Sequence, residues 1–521
     1  MPERAKNNLV AIHLKVHWNS DGGNEMMKRR TLLKVAAAGA VTAFSGTIPG
    51  LRALAATSLR VRRSVNSMAL DDPDLDTLRE FVRVMRSKPP RARVSWVGFA
   101  SQHGNAAAFK YCPHGDWYFL PWHRGFVEMY EKAAAALMRN PQFAMPYWDW
   151  TTLRDYPPAF ATPTYKGRPN PLFTPGEGDD FQPGGPIARN PLGPTVLTDS
   201  IVGQRQVIDR IYAETVYERF GTSRNRMQHD LDASWVPEGG GTQGILEATP
   251  HNQIHNQIGG FMPQSNSPRD PIFMMHHSNI DRLWTAWNNL GRQNSTASLW
   301  LNMVFRNNYI APDGSFYTKG VKDLLSASAL DYTYDNLPPP DARTPDPVRE
   351  ERVRALVGQT PAASLKRVKA PPIMPPGLGQ PLNAPVQLEH NDLLGAIEPA
   401  GRAHPTEVVA LISDIQVAKN VGAIRVFVNR PSVSLQVPET DPHFVTSVAF
   451  LHHGSGAGGH GHHKALPSTI VDLTETLRRL SRSKRLSGDK VTVQLLPVPM
   501  PGVAASAVGS VTPRSIEIAF L

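Results

Sequence analysis

A chain of 521 residues with one cysteine, Cys112, can form no internal disulfide, so its stability rests on packing or on bound metal. It is also short of charge: Asp, Glu, Lys and Arg make up 19% of it, 45 acidic against 55 basic, for a formal net charge of +10. The basic residues are scattered and no recognised nucleic-acid module is present, so the surplus reads as a solubility feature and no nucleic-acid partner is expected. Absent too is the glutamate that follows the first histidine in the HExxH zinc proteases. In the pair His251 and His255 that position is Asn252, which removes the general base and disfavours a zinc hydrolase.

Near the N terminus the apolar run VAAAGAVTAF is too short to cross a bilayer. It follows the basic segment Lys28-Arg29-Arg30-Thr31-Leu32-Leu33-Lys34 and precedes a small-x-small site at Ala53-Leu54-Ala55, the layout of a cleavable signal peptide. The arginine pair resembles a bacterial twin-arginine signal; an ordinary secretory signal with an incidental pair is the alternative. Residues 1–55 are therefore expected to be an N-terminal extension and signal peptide. The rest of the chain is expected in the periplasm or outside a bacterial cell, with no membrane anchor left after cleavage.

What the chain does have is histidine in two dense stretches. Thr249-Pro250 reads as a helix start, and His251 and His255, four apart, share one helix face. Asp270-Pro271 opens a second amphipathic run, IFMMHHSNIDRLW, with His276 and His277 on its first turns. Upstream, His103, His114 and His123 are spaced by eleven and nine residues, the last on the first turn of a helix at Pro121. A lone HxxxH says little, but here two helices converge on a further His-His pair. The six imidazoles sort into two sets of three, leaving His276 beside the second set and His229 on the surface. Trp117, Phe119, Trp122, Tyr147, Trp148 and Trp150 read as core and pocket wall.

Three imidazoles per site, without thiolate or carboxylate, are compatible with copper, zinc, iron or nickel. Two adjacent sites with no bridging carboxylate favour copper, because a hydrolytic or di-iron pair recruits Asp or Glu to offset its charge. A copper pair at the spacing of two-metal sites can pass two electrons to dioxygen.

The words HG…YCPHGDWYFLPWHRGFVEMYE…MPYWDW and E…PHNQIHNQIGG…DPIFMMHHSNIDRLW resemble the type 3 copper proteins, the family of tyrosinase, catechol oxidase and haemocyanin, over roughly residues 71–290. The resemblance implies a mainly α catalytic domain, a four-helix bundle holding two copper ions. It puts His103, His114 and His123 on the first copper (CuA) and His251, His255 and His277 on the second (CuB). It further implies oxidation of o-diphenols to o-quinones with O2, the substrates being small phenols, with hydroxylation of monophenols as an additional capacity. A haemocyanin-like O2 carrier and a copper-storage protein are the alternatives. Cys112, two residues before His114, is placed as in the Cys-x-His pair that forms a thioether to the ligand. Glu247 matches the acidic residue that holds a water beside CuB, and Asn252 the residue that helps that water deprotonate a phenol. As plain structural residues they would complement a helix N terminus and its first turn.

Residues 155–240 are rich in Pro and Gly, with a helix expected only near Val207–Phe220. Residues 56–336 form the expected catalytic domain, and 337–385 a proline-rich, extended linker. From 386 to 521 the pattern turns to β, in VVALISDIQV, AIRVFVNRP, FVTSVAFLHH, KVTVQLLPV and SIEIAFL, with one helical insertion at Ile470–Ser483. This predicts a small all-β, sandwich-like domain. The segment VKDLLSASALDYTYDNLP and this region resemble the linker and C-terminal domain of plant polyphenol oxidases, in which the domain shields the copper site; a structural appendage is the alternative. The tract HHGSGAGGHGHH at 452–463 reads as a metal-handling segment or a mobile polar loop. Oligomeric state leaves no mark on the sequence.

Overall fold

Helices of the first half start and stop where local chemistry dictates. The computed structural model describes residues 59–521 except 106–109, 174–187, 225–239, 342–344, 359–364, 399–405, 419, 452–465 and 487. The expected signal peptide, His229 and the glycine–histidine tract therefore lie outside the described residues. Helix α1 (Pro73–Arg86) begins where Asp72 accepts the Asp74 N–H, and it buries Leu75, Leu78, Val82 and Met85 at helical spacing. Helix α2 (Trp96–His103) is capped by Ser95, which accepts the Gly98 N–H, and ends on a histidine. Helix α3 (Phe119–Leu137) is buried almost all round, as befits the centre of a core.

Helix α4 (Asn252–Ile258) departs from expectation at its start. Thr249 is not its cap; a π-turn over Glu247–His251 leads into it with Pro250 inside. Proline has no N–H to give and crowds the carbonyl four residues back, and a turn widened by one residue relieves both problems. Helix α5 (Ile272–Asn289) follows Asp270-Pro271 as expected, with the Asp270 carboxylate accepting the Ile272 N–H at 3.0 Å. The expected helix at Val207–Phe220 is broken into Asp209–Ala213 and Tyr217–Phe220. Between them the Glu214 carboxylate takes the N–H groups of Thr215 and Val216, which a continuous helix would have used.

One apolar core runs from Val65 to Tyr334 around α1, α3 and α5. Strand Arg60–Arg62 pairs in parallel with Tyr332–Tyr334 at its edge. Through it Arg62 reaches Glu131 of α3 at 2.8 Å and Asp281 of α5 at 3.1 Å, and Asp281 also pairs with Arg124. This buried charge cluster ties together the two helices that carry His123 and His277.

The C-terminal region has a core of its own, from Ala370 to Phe520, between two sheets. The first holds, in spatial order, Thr242–Gln243, Ser468–Asp472, Val408–Val417, Val511–Phe520 and Arg367–Lys369. The second holds Phe444–Val448, Val421–Val428, Lys490–Pro499 and Leu382–Gln387. Neighbours are antiparallel, as in Val408↔Phe520 and Ile424↔Val448, except that Thr242–Gln243 of the helical half joins Ser468–Asp472 in parallel. The region is not purely β, since His390–Ile397 and Thr474–Arg482 are helices whose Leu393, Leu477 and Leu480 enter its core. The expected helix at Ile470–Ser483 starts later than its apolar text suggests. Ser468–Asp472 is instead a strand, because its β-branched Thr469, Ile470 and Val471 pair with Ile412, Leu411 and Ala410. The stretch 337–385, expected to be extended, contains helix Pro347–Leu356 and two strands of the sheets.

Candidate metal centre

Five histidines of the two expected sets sit on helical turns, and His114 lies on the loop between α2 and α3. His103 ends α2, and its Nδ1–H donates to the Ser265 carbonyl at 2.6 Å. His123, on the first turns of α3, donates from Nδ1 to the Phe119 carbonyl at 2.7 Å. His255 on α4 donates from Nδ1 to the Met262 carbonyl at 2.6 Å, and His251 from Nδ1 to Asn252 Oδ1 at 2.8 Å. Oxygen acceptors place the proton on Nδ1, so in all four rings Nε2 carries the lone pair. The Nε2 atoms of His251 and His255 lie 3.4 and 3.1 Å from His277 Nε2 on α5.

Two compact groups result. One comprises His103, Cys112, His114 and His123, the other His251, His255, His276 and His277; all are buried, and within each group the donor atoms lie within 4.8 Å of one another. The groups face each other, with the His123 and His277 rings stacked at 4.4 Å between centroids and His114 5.4 Å from His251. Phe273 lies between them, stacked on His277 at 4.1 Å and edge-on to His103 at 5.2 Å, and Phe119 lies against both His123 and His251.

Burial pushes the imidazoles of His103, His251, His276 and His277 far below their ordinary range, and mutual repulsion adds to it. The same burial takes His123 down to about 3 and His255 to about 4. These rings are neutral at any physiological pH, the form a metal requires.

The remaining expected residues are also present, each engaged with the protein. Cys112 Sγ is 3.4 and 3.6 Å from the two ring nitrogens of His114 and 3.2 Å from His123 Nε2. The Glu247 carboxyl accepts the Gly115 N–H at 2.7 Å and the Thr222 hydroxyl, tying the loop after His114 to the turn before His251. Burial, with Asp116 adding to it, pushes this carboxyl up to about 8. Asn252 receives His251 on its oxygen and gives its amide to the Ala449 carbonyl at 2.9 Å. Sequence reasoning missed Asn256, whose amide reaches the Gly422 carbonyl at 2.7 Å, and Thr222. The tandem repeat HNQI-HNQI at 251–258 was the available signal for Asn256.

Residues 93–290, a range that contains both histidine groups, match the common central domain of tyrosinase. The chain carries a tyrosinase central domain. Residues 398–517 match the C-terminal domain of chloroplastic polyphenol oxidase. A chloroplastic polyphenol oxidase of Vicia faba is 30% identical over 268 residues, which are 47% of this chain and 41% of that protein. The chloroplastic polyphenol oxidase of Malus domestica is 28% identical over 53% of this chain and 48% of its own, and a tyrosinase of a Hahella species 27% identical over 47% and 52%. The tyrosinase-like chain thus aligns with about half the length of these curated relatives. The structure of latent apple tyrosinase superposes with a TM-score of 0.59 at 22% identity, covering 89% of this chain and 97% of that one, which establishes the shared fold of helical core and C-terminal sheets.

The tyrosinase family binds two copper ions, and two facing groups of neutral imidazoles without a carboxylate fit them. These relatives correct the expectation of export from a bacterium. The plant relatives are chloroplastic proteins, and the C-terminal match is to the domain of a chloroplastic polyphenol oxidase rather than of an exported bacterial protein. A basic segment is common to secretory and plastid targeting sequences, so that part of the pattern did not separate them. Among the described residues no helix is long and apolar enough to cross a membrane.

Proposed function

We propose that the tyrosinase domain is the catalytic unit of a polyphenol oxidase, with α2, α3, α4 and α5 read as a four-helix bundle around a dicopper centre. His103, His114 and His123 hold CuA, and His251, His255 and His277 hold CuB. The coppers, when bound, supply paired one-electron redox chemistry toward O2. Two o-diphenols each release two electrons and two protons to become o-quinones, and one O2 takes up all four of each to become two waters. The chain's part is to hold the rings, to exclude bulk water with Phe119 and Phe273, and to provide Glu247, its carboxyl pushed up to about 8, as the acid–base group. Asn252 is read as its amide partner in monophenol hydroxylation. The sheet edge seated on α4 is read as the shield of the site.

The observation that carries this reading is the pair of buried histidine groups stacked across His123 and His277. The named relatives are oxidases rather than oxygen carriers, which favours turnover over storage. Oxygen uptake by copper-reconstituted protein with catechol and with tyrosine, before and after limited proteolysis of the C-terminal region, tests it. Uptake abolished by H255A supports the proposal. Two bound coppers with no uptake on either phenol in either state overturns it.

A further inference from the structure

Helix α4 has only seven residues, too few to hold itself, and no side chain caps its N terminus. Its repeat sets His251 and His255 toward the metal groups, Ile254 and Ile258 in the helical core, and Asn252 and Asn256 on a third face, from which Asn252 also receives the His251 Nδ1–H. That third face meets the C-terminal sheet. Asn252 donates to the Ala449 carbonyl, Gln253 to Ser447 Oγ at 2.9 Å, and Asn256 to the carbonyls of Gly422 at 2.7 Å and Phe450 at 3.3 Å. All three amide side chains are buried. Ala449 returns a bond, its N–H donating to the Ala248 carbonyl of the π-turn at 2.8 Å.

The sheet is built to receive them. Strands Val421–Val428 and Phe444–Val448 pair up to Ile424↔Val448, and a bulge lies between Val421 and Ala423 on the other side of the first strand. Continuing that register sets Gly422 opposite Phe450, and there the Asn256 amide takes both carbonyls. It closes the end of the ladder with a side chain.

We infer that this sheet edge is a structural part of the second histidine group: it positions α4 through Asn252 and Asn256, so that filling of that group by metal and docking of the sheet are coupled. The inference rests on the dicopper reading and deepens it. Asn256 acts through its neighbour His255 and is a positioning residue. Partners that orient metal ligands typically contribute about 10- to 100-fold to metal affinity. Coupling is reciprocal, so the metal tightens the docked sheet by the same factor.

Full-length wild type and N256A, loaded with two coppers, are titrated with a chelator, the release phases being assigned with H103A. The second copper should leave N256A at roughly tenfold lower chelator than wild type, with the first unmoved and N256Q recovering part of the difference. Copper should also slow proteolysis around residues 444–451 in wild type more than in N256A. Release indistinguishable from wild type, or both coppers weakened by one factor, overturns the inference. If N256A fails to fold, S447A, which removes only the Gln253 tie, must show the same shift more weakly, and no shift there also overturns it. Wild type that never takes a second copper sinks the dicopper reading and the coupling with it, a result distinct from an unshifted variant.

Discussion

At the scale of single residues the site is a matter of which atom each side chain has left to offer. Four imidazoles commit Nδ1 to an oxygen and keep Nε2, so a short hydrogen bond decides the tautomer. Cys112 is the residue whose chemistry is least settled by burial alone. Its sulfur is nearly equidistant from both nitrogens of His114, a position from which it can reach the carbon they share. A thioether there would form with loss of the thiol hydrogen and the ring hydrogen, O2 taking up the two electrons and two protons as hydrogen peroxide. Intact mass of protein matured with copper and O2 should then fall two hydrogens short of the sequence mass, and C112S should show no deficit. An unshifted mass for the wild type would leave Cys112 as a small buried packing residue. The cysteine and the six histidines were legible in the text because their spacing is local. Asn256 was not, since its partner carbonyls lie more than a hundred and sixty residues away.

At the scale of elements the second group depends on a helix that is short and held at every side. Pro250 forces the π-turn at its start, and Gly259 ends it with φ of +68° and ψ of −151°, a conformation open essentially to glycine. A β-carbon at 259 would also lie 2.3 Å from Asn190 Nδ2. G259A should therefore cost about 1–3 kcal/mol of stability, read by denaturant unfolding, and should loosen copper at the second group more than at the first. Unchanged stability would show that the chain relaxes there freely. The sequence marked these helices by their apolar period but misplaced boundaries at Thr249 and Ile470. At Ile470 a tertiary partner, strand Val408–Val417, outweighed the local signal, and at Thr249 the proline that follows it widened the turn instead of opening the helix.

At the scale of the whole molecule the buried imidazoles of His103, His123, His251, His255, His276 and His277 shape the response to acid. Their pKa values are depressed in the fold, whereas the unfolded chain takes up protons near pH 6.5. Between pH 6.5 and about 3–4 the unfolded state thus binds more protons, and stability is lost as pH falls through that window. Glu247 works the other way. Its pKa is raised to about 8, so its contribution weakens the fold as pH rises from 4.5 toward 8, but it is one group against six. Metal-free protein should be most stable near pH 6.5 by urea unfolding. Copper should raise that stability at neutral pH, since it binds only the folded, deprotonated rings, and the gain should vanish toward pH 4. A stability curve flat from pH 7 to 4 would contradict the burial of neutral histidines.

The sequence by itself determined the two histidine clusters, most of the helices that carry them and the β character of the C-terminal region, because histidine spacing, capping residues and apolar period are written within a few residues of each other. Only the tertiary structure decided that the two groups face across His123 and His277, that Glu247 bonds the loop of the opposite group, and that α4 leans on the sheet. Those relations join residues far apart in the chain. They arise when two cores form and the buried amides and carbonyls between them have only each other to bond.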